Sequence, residues 1–102
     1  MTSPVLAEVI ITNDVGLHAR PSVKFTKLAK RYACAIEISI GPDGQWIDAK
    51  SIVKVMGAKA PKGTTLRLKA TGEQAEEAVA ALVALVDRQF DEGHEHAGTD
   101  QA

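Results

Sequence analysis

Gly16-Leu17-His18-Ala19-Arg20-Pro21 gathers the side chains of this sequence that could do chemistry together. A neutral imidazole nitrogen of His18 is a nucleophile able to attack an electrophilic phosphorus and hold it as phosphohistidine. Arg20, two residues on, carries a fork of donors suited to phosphate oxygens. Gly16 permits a tight turn, and Pro21 fits a helix's first turn, where a missing N–H costs little. The segment lies between strand-like and helix-like stretches, so His18 would stand just before a helix N-terminus. Unpartnered amides and the helix dipole favour an anion there. On these residues alone two readings stand: a phosphate-bearing nucleophile, and a solvent-exposed loop histidine or simple cap.

The elements that must position His18 follow from periodicity. Residues 5–12 alternate as a strand with Ala7, Val9 and Ile11 on one face, and Asn13-Asp14-Val15-Gly16 is turn chemistry. From Pro21 to Tyr32 the period becomes helical: Phe25, Leu28, Ala29 and Tyr32 share a stripe that leaves Lys24, Lys27, Lys30 and Arg31 largely outside it. Ile36, Ile38 and Ile40 alternate in a second strand, Gly41-Pro42-Asp43-Gly44 turns, and Trp46-Ile47-Asp48-Ala49 returns as a hairpin partner. A short helix over 51–56 has Ser51 as its N-cap. A strand over 64–71 places Leu66, Leu68 and Ala70 on one face. Thr71 and Gln74 fit a capping box for a last helix, with Glu73, Glu76 and Glu77 at its positive end and Ala75, Ala78, Val79, Leu82, Leu85, Val86 and Phe90 on its apolar face.

The order β-α-β-β-α-β-α predicts an α+β open-faced sandwich, a four-stranded antiparallel sheet covered on one face by three helices. With 102 residues, positions 1–91 make one domain and 92–102 read as a frayed tail. Hydrophobic residues are 45% of the chain with four aromatics, so Ala, Val, Ile and Leu must build the core. Twelve basic against 13 acidic residues, a net charge of −1, argue against a general nucleic-acid binder. Cys34, the single cysteine, reads as an apolar filler. No signal-peptide pattern opens the chain, and no apolar run nears the roughly 20 residues of a membrane span, so a cytoplasmic setting is expected.

Gly-Leu-His-Ala-Arg-Pro closely resembles the active-site signature of the HPr family, the histidine-containing phosphocarriers of the bacterial phosphotransferase system. Lys50-Ser51-Ile52-Val53-Lys54-Val55-Met56 is similar to that family's regulatory-serine segment. The order of strands and helices agrees from about Val5 to Phe90. The resemblance implies that His18 accepts phosphate on Nδ1 from phospho-enzyme I and passes it to enzyme IIA-type acceptors. It also implies that Arg20 meets the phosphate and that Pro21 and the helix amides complete the site. On this reading the chain is a stoichiometric carrier and not an enzyme, working as a monomer without cofactor or metal. Ser51 would match the serine modified by HPr kinase/phosphorylase, a role compatible with an ordinary cap.

The same resemblance makes Ile52, Val53 and Met56 an apolar partner-docking patch that Lys24, Lys27 and Lys30, with Arg20, could ring with positive charge. Ser22 stands where the family commonly has Ala. Ala58-Lys59-Ala60-Pro61 is less apolar than the family's usual loop. Gly93-His94-Glu95-His96 holds two histidines but lacks the context of a metal site. Two alternatives stay open beside the carrier: a regulatory paralogue acting through phosphorylation-dependent binding, in catabolite or nitrogen-related control, and a small ligand-binding module. The sugar or acceptor served is not encoded in these residues.

Overall fold

The computed structural model describes residues 3–13, 16–41 and 44–91. The middle of the first predicted turn (Asp14, Val15), Pro42-Asp43 of the second, and the tail with His94 and His96 lie outside these residues. The elements run β1 (Val5–Ile10), α1 (Ala19–Ala29), β2 (Ala35–Ile40), β3 (Ile47–Asp48), α2 (Ile52–Ala58), β4 (Thr65–Thr71) and α3 (Ala75–Asp87), followed by a single turn over Gln89–Asp91. This is the expected order.

The four strands form one antiparallel sheet in the order β1-β4-β2-β3. Val9 stands opposite Leu66 across β1 and β4, and Ile38 opposite Leu68 across β2 and β4. Alternation then sends Val9, Ile36, Ile38, Leu66, Leu68 and Ala70 to the helix-covered face, where all are buried with Phe25, Ala29, Leu82 and Val86. Burying each large aliphatic or aromatic side chain contributes about 1.5–3 kcal/mol, so this face dominates stability. Along the opposite face, Leu6 and Ile10 are exposed and Trp46 lies over Arg67 and Lys69, with the cations 5.0 and 4.4 Å from its ring centre. Glu37 adds an ion pair with Lys69 at 3.5 Å across β2 and β4. Among the described residues no helix is long and apolar enough to cross a membrane.

Helix α1 begins at Ala19, two residues before the predicted start. Its first turn is closed by the Ser22 amide donating to the His18 carbonyl at 3.0 Å, which makes His18 the N-cap and leaves Pro21 within that turn. The predicted capping box of Thr71 and Gln74 is absent. Thr71 is the last residue of β4, paired opposite Ala35, and so cannot cap a helix. Gln74 is itself the N-cap, in the left-handed region at φ 64° with no side-chain bond, because the chain reverses through Gly72 in a tight turn. Helix α3 closes at Asp87, and the left-handed turn after it buries Phe90 edge-to-face on Phe25, with ring centres 6.4 Å apart.

Candidate functional site

His18 is exposed at the N-cap of α1 with extended backbone, φ −89° and ψ −166°, and its side chain makes no capping bond. The imidazole is therefore available to an incoming group. The amides of Ala19 and Arg20 precede the first intrahelical hydrogen bond and have no acceptor within the helix. Pro21, next in line, has no N–H to leave unsatisfied. No acidic side chain occupies the first turn, so the positive end of the helix dipole is not offset.

Backbone contacts hold the loop before His18. The Leu17 amide donates to the Ala60 carbonyl at 2.8 Å, and Leu17 is buried. Gly16 adopts φ +64°, and a Cβ built on it would overlap the Ala60 carbonyl oxygen, so both conformation and space require glycine. The buried side chain of Asn13 donates from Nδ2 to the Gly16 carbonyl at 2.9 Å. The Gly16 amide in turn donates to the Asn13 carbonyl at 3.2 Å. These bonds set the direction in which the chain enters α1.

A cleft of about 330 Å³ opens beside His18, lined also by Leu17, Ala19, Met56, Lys59, Ala60 and Pro61. Arg20 lies on the first turn of α1 and is exposed, but it is not part of this wall. Neither Arg20 nor Lys59 has an ion-pair partner among the described residues. The arrangement presents a nucleophilic nitrogen, two amides at a helix end and two cations on a surface open to a second protein.

Ser51 caps α2: its Oγ accepts from the Lys54 amide at 3.3 Å. On α2, Val53 is 77% exposed, Met56 37%, and Ile52 half-buried. The lysine row is divided between two places. Lys24 donates from Nζ to the Phe90 carbonyl at 3.0 Å, and with Lys27 and Arg31 it lines a groove between α1 and α3. Lys30 is exposed at the C-cap of α1. Lys24 and Lys27 thus share a groove with Leu85 of α3, whereas Met56 lines the His18 cleft. Sequence reasoning missed Lys59 and Asn13 as parts of the site. The composition of Ala58-Lys59-Ala60-Pro61 was the one signal for Lys59, and Asn13 read as turn chemistry alone.

Known proteins are similar to this chain over most of its length. The family model described as the PTS HPr component phosphorylation site matches residues 5–88. The chain is 46% identical over 86 residues to the phosphocarrier protein HPr of Pseudomonas aeruginosa, covering 84% of this chain and 94% of that one. It is 36% identical over 84 residues to the phosphocarrier protein NPr of Escherichia coli, covering 82% and 92%. The crystal structure of HPr-C-His from Thermoanaerobacter tengcongensis superposes with a TM-score of 0.80 at 34% identity, covering 86% of this chain and 97% of that one.

Proposed function

The chain belongs to the HPr family, and from that premise we propose that His18 is the atom-bearing centre of its phosphoryl relay. As an HPr-type phosphocarrier it moves a phosphoryl group from enzyme I to enzyme IIA-type acceptors of the phosphotransferase system, in sugar uptake or its regulation. It is a carrier and not a catalyst, since each transfer consumes its own charged state.

The observation that supports His18 is its placement as an exposed N-cap with an unengaged side chain, beside amides that lack intrahelical acceptors. The attacking ring nitrogen forms a bond to phosphorus while the donor's bond to phosphorus breaks. That bonding pair returns to the donor, and the His18 ring keeps the proton on its other nitrogen. Charge on the transferred group spreads over its oxygens, which positioned donors and cations stabilise. Arg20 and the amides of Ala19 and Arg20 supply that stabilisation in this reading. An open cleft keeps the phosphohistidine accessible to the next acceptor.

Ser51 is the regulatory position in the same reading, phosphorylated by a kinase of the HPr kinase/phosphorylase type. Its hydroxyl sits at a helix start, where added negative charge is tolerated by the fold and changes partner choice instead. Val53 and Met56, with Ile52, form the apolar docking patch, and Lys27 and Lys30 are exposed members of the lysine row.

Incubation with phosphoenolpyruvate and enzyme I, read by intact mass, tests the central assignment. A gain of one phosphate that is lost in acid and absent from His18→Ala is expected. An undiminished gain in His18→Ala would reject it. For Ser51, ATP and the kinase should yield an acid-stable phosphate that Ser51→Ala lacks.

A further inference from the structure

We propose that Lys59 contacts the phosphoryl group held on His18 and sets how strongly this chain retains it, an inference that rests on His18 being the carrier.

Lys59 occupies the C-cap of α2 in the left-handed region, at φ 53° and ψ 45°, and its amide donates to the Met56 carbonyl at 3.3 Å. That cap position suits glycine, and an L-residue with a full side chain is strained there. Residues held in such conformations cluster at functional sites. The next residue, Ala60, is fastened through its carbonyl to the Leu17 amide, one residue before His18. The backbone that carries Lys59 is thereby tied to the backbone that carries the imidazole, and both residues border one cleft.

Within that cleft Lys59 stands alone electrically. Leu17, Ala19, Met56, Ala60 and Pro61 are apolar, and Arg20 is not part of the wall. A dianionic phosphoryl group on His18 would thus meet one ammonium across a mostly apolar surface, where charge interactions exceed their strength in open water. Transfer onto His18 forms the new nitrogen–phosphorus bond as the donor's breaks, and no proton is required of Lys59. Its effect is electrostatic: it stabilises the charged product, shifts the equilibrium toward phospho-His18, and leaves the uncharged form unaffected.

Three variants separate charge from backbone strain. Lys59→Gly removes the cation and relieves the left-handed conformation, Lys59→Met removes the cation alone, and Lys59→Arg keeps it. Each is equilibrated with enzyme I at a fixed ratio of phosphoenolpyruvate to pyruvate, and the ratio of phosphorylated to unphosphorylated chain is read by intact mass beside the Tm. Gly and Met should lower that ratio about fivefold, the size of a partly exposed charge contact. Arg should hold it near wild type, Tm should not fall in Gly, and added salt should narrow the gap. Unchanged ratios in Gly and Met, or an equal loss in Arg, would overturn the proposal. Failure of the underlying assignment reads differently, as wild-type protein that gains no phosphate or as His18→Ala that still gains it.

Discussion

The amide of Leu17 and the carbonyl of Ala60 meet at 2.8 Å, so the turn that presents His18 hangs from the loop that follows α2. Gly16 allows that approach. In Gly16→Ala the new Cβ meets the Ala60 carbonyl and the residue must hold φ +64°. We expect a loss of at least about 2 kcal/mol of stability together with slower phosphorylation. Urea unfolding and phosphoryl transfer from enzyme I, measured on the same variant, check both effects. Near-wild-type values in both would show that the two loops are not rigidly joined.

Arg20 is exposed, so its removal should spare the fold and affect the transferred group. Arg20→Ala should slow transfer onto His18 by about tenfold or more, the loss of a hydrogen bond to a charged group, while shifting stability by less than about 0.5 kcal/mol. Rapid-quench kinetics with phospho-enzyme I give the rate, and thermal unfolding gives the stability. A wild-type rate in the variant would remove Arg20 from the site.

Ser22 is fully buried in α1, and its Oγ has no hydrogen-bond partner. A desolvated hydroxyl without a partner is a net cost, and alanine is also the better helix former. Ser22→Ala should therefore raise stability by about 1 kcal/mol. A lower unfolding midpoint in urea, at unchanged slope, would contradict the assignment of that hydroxyl as unsatisfied.

Ser51 makes its capping bond at 3.3 Å, a long contact, so Ser51→Ala should cost about 0.5–1 kcal/mol, at the lower end for an N-cap. Ser51→Asp keeps an acceptor and suits the helix dipole, so its stability should stay near wild type while docking to an acidic surface weakens. Titration calorimetry against enzyme I separates the two variants. Equal affinities would dissociate the serine from partner choice.

Phe90 is completely buried although it lies in a left-handed turn, and it packs on Phe25. Phe90→Ala should lose about 3–5 kcal/mol through the cavity left beneath α1 and α3. Chemical denaturation measures it, and a loss below about 1 kcal/mol would place the anchor of this turn elsewhere.

Period and turn chemistry make the architecture legible in the sequence. The alternation of Ile36, Ile38 and Ile40, and of Leu66, Leu68 and Ala70, identified the buried face of the central strands. His18 and Ser51 were legible because each precedes a helical pattern. Thr71 misled because a capping box and a strand end share residue types, and pairing with Ala35 decided between them. Lys59 was illegible as part of the site. Its nearness to His18 depends on the bond between Leu17 and Ala60, residues far apart in the chain, which no local pattern encodes. The groove that Lys24 and Lys27 share with Leu85 was hidden for the same reason, being set by how α1 packs against α3.

The sheet order β1-β4-β2-β3 governs how the chain is born. Strands β1 and β2 never touch, and the strand that joins them is the last to be synthesised. During translation only the short pairing of β2 with β3 is available, while β1 waits for a partner that emerges some sixty residues later. Such non-local pairing is slow to nucleate and makes assembly all-or-none. The loop that floors the His18 cleft is delivered just ahead of β4, so a nascent chain that ends before Lys59 has the histidine but not the opposite wall of its cleft.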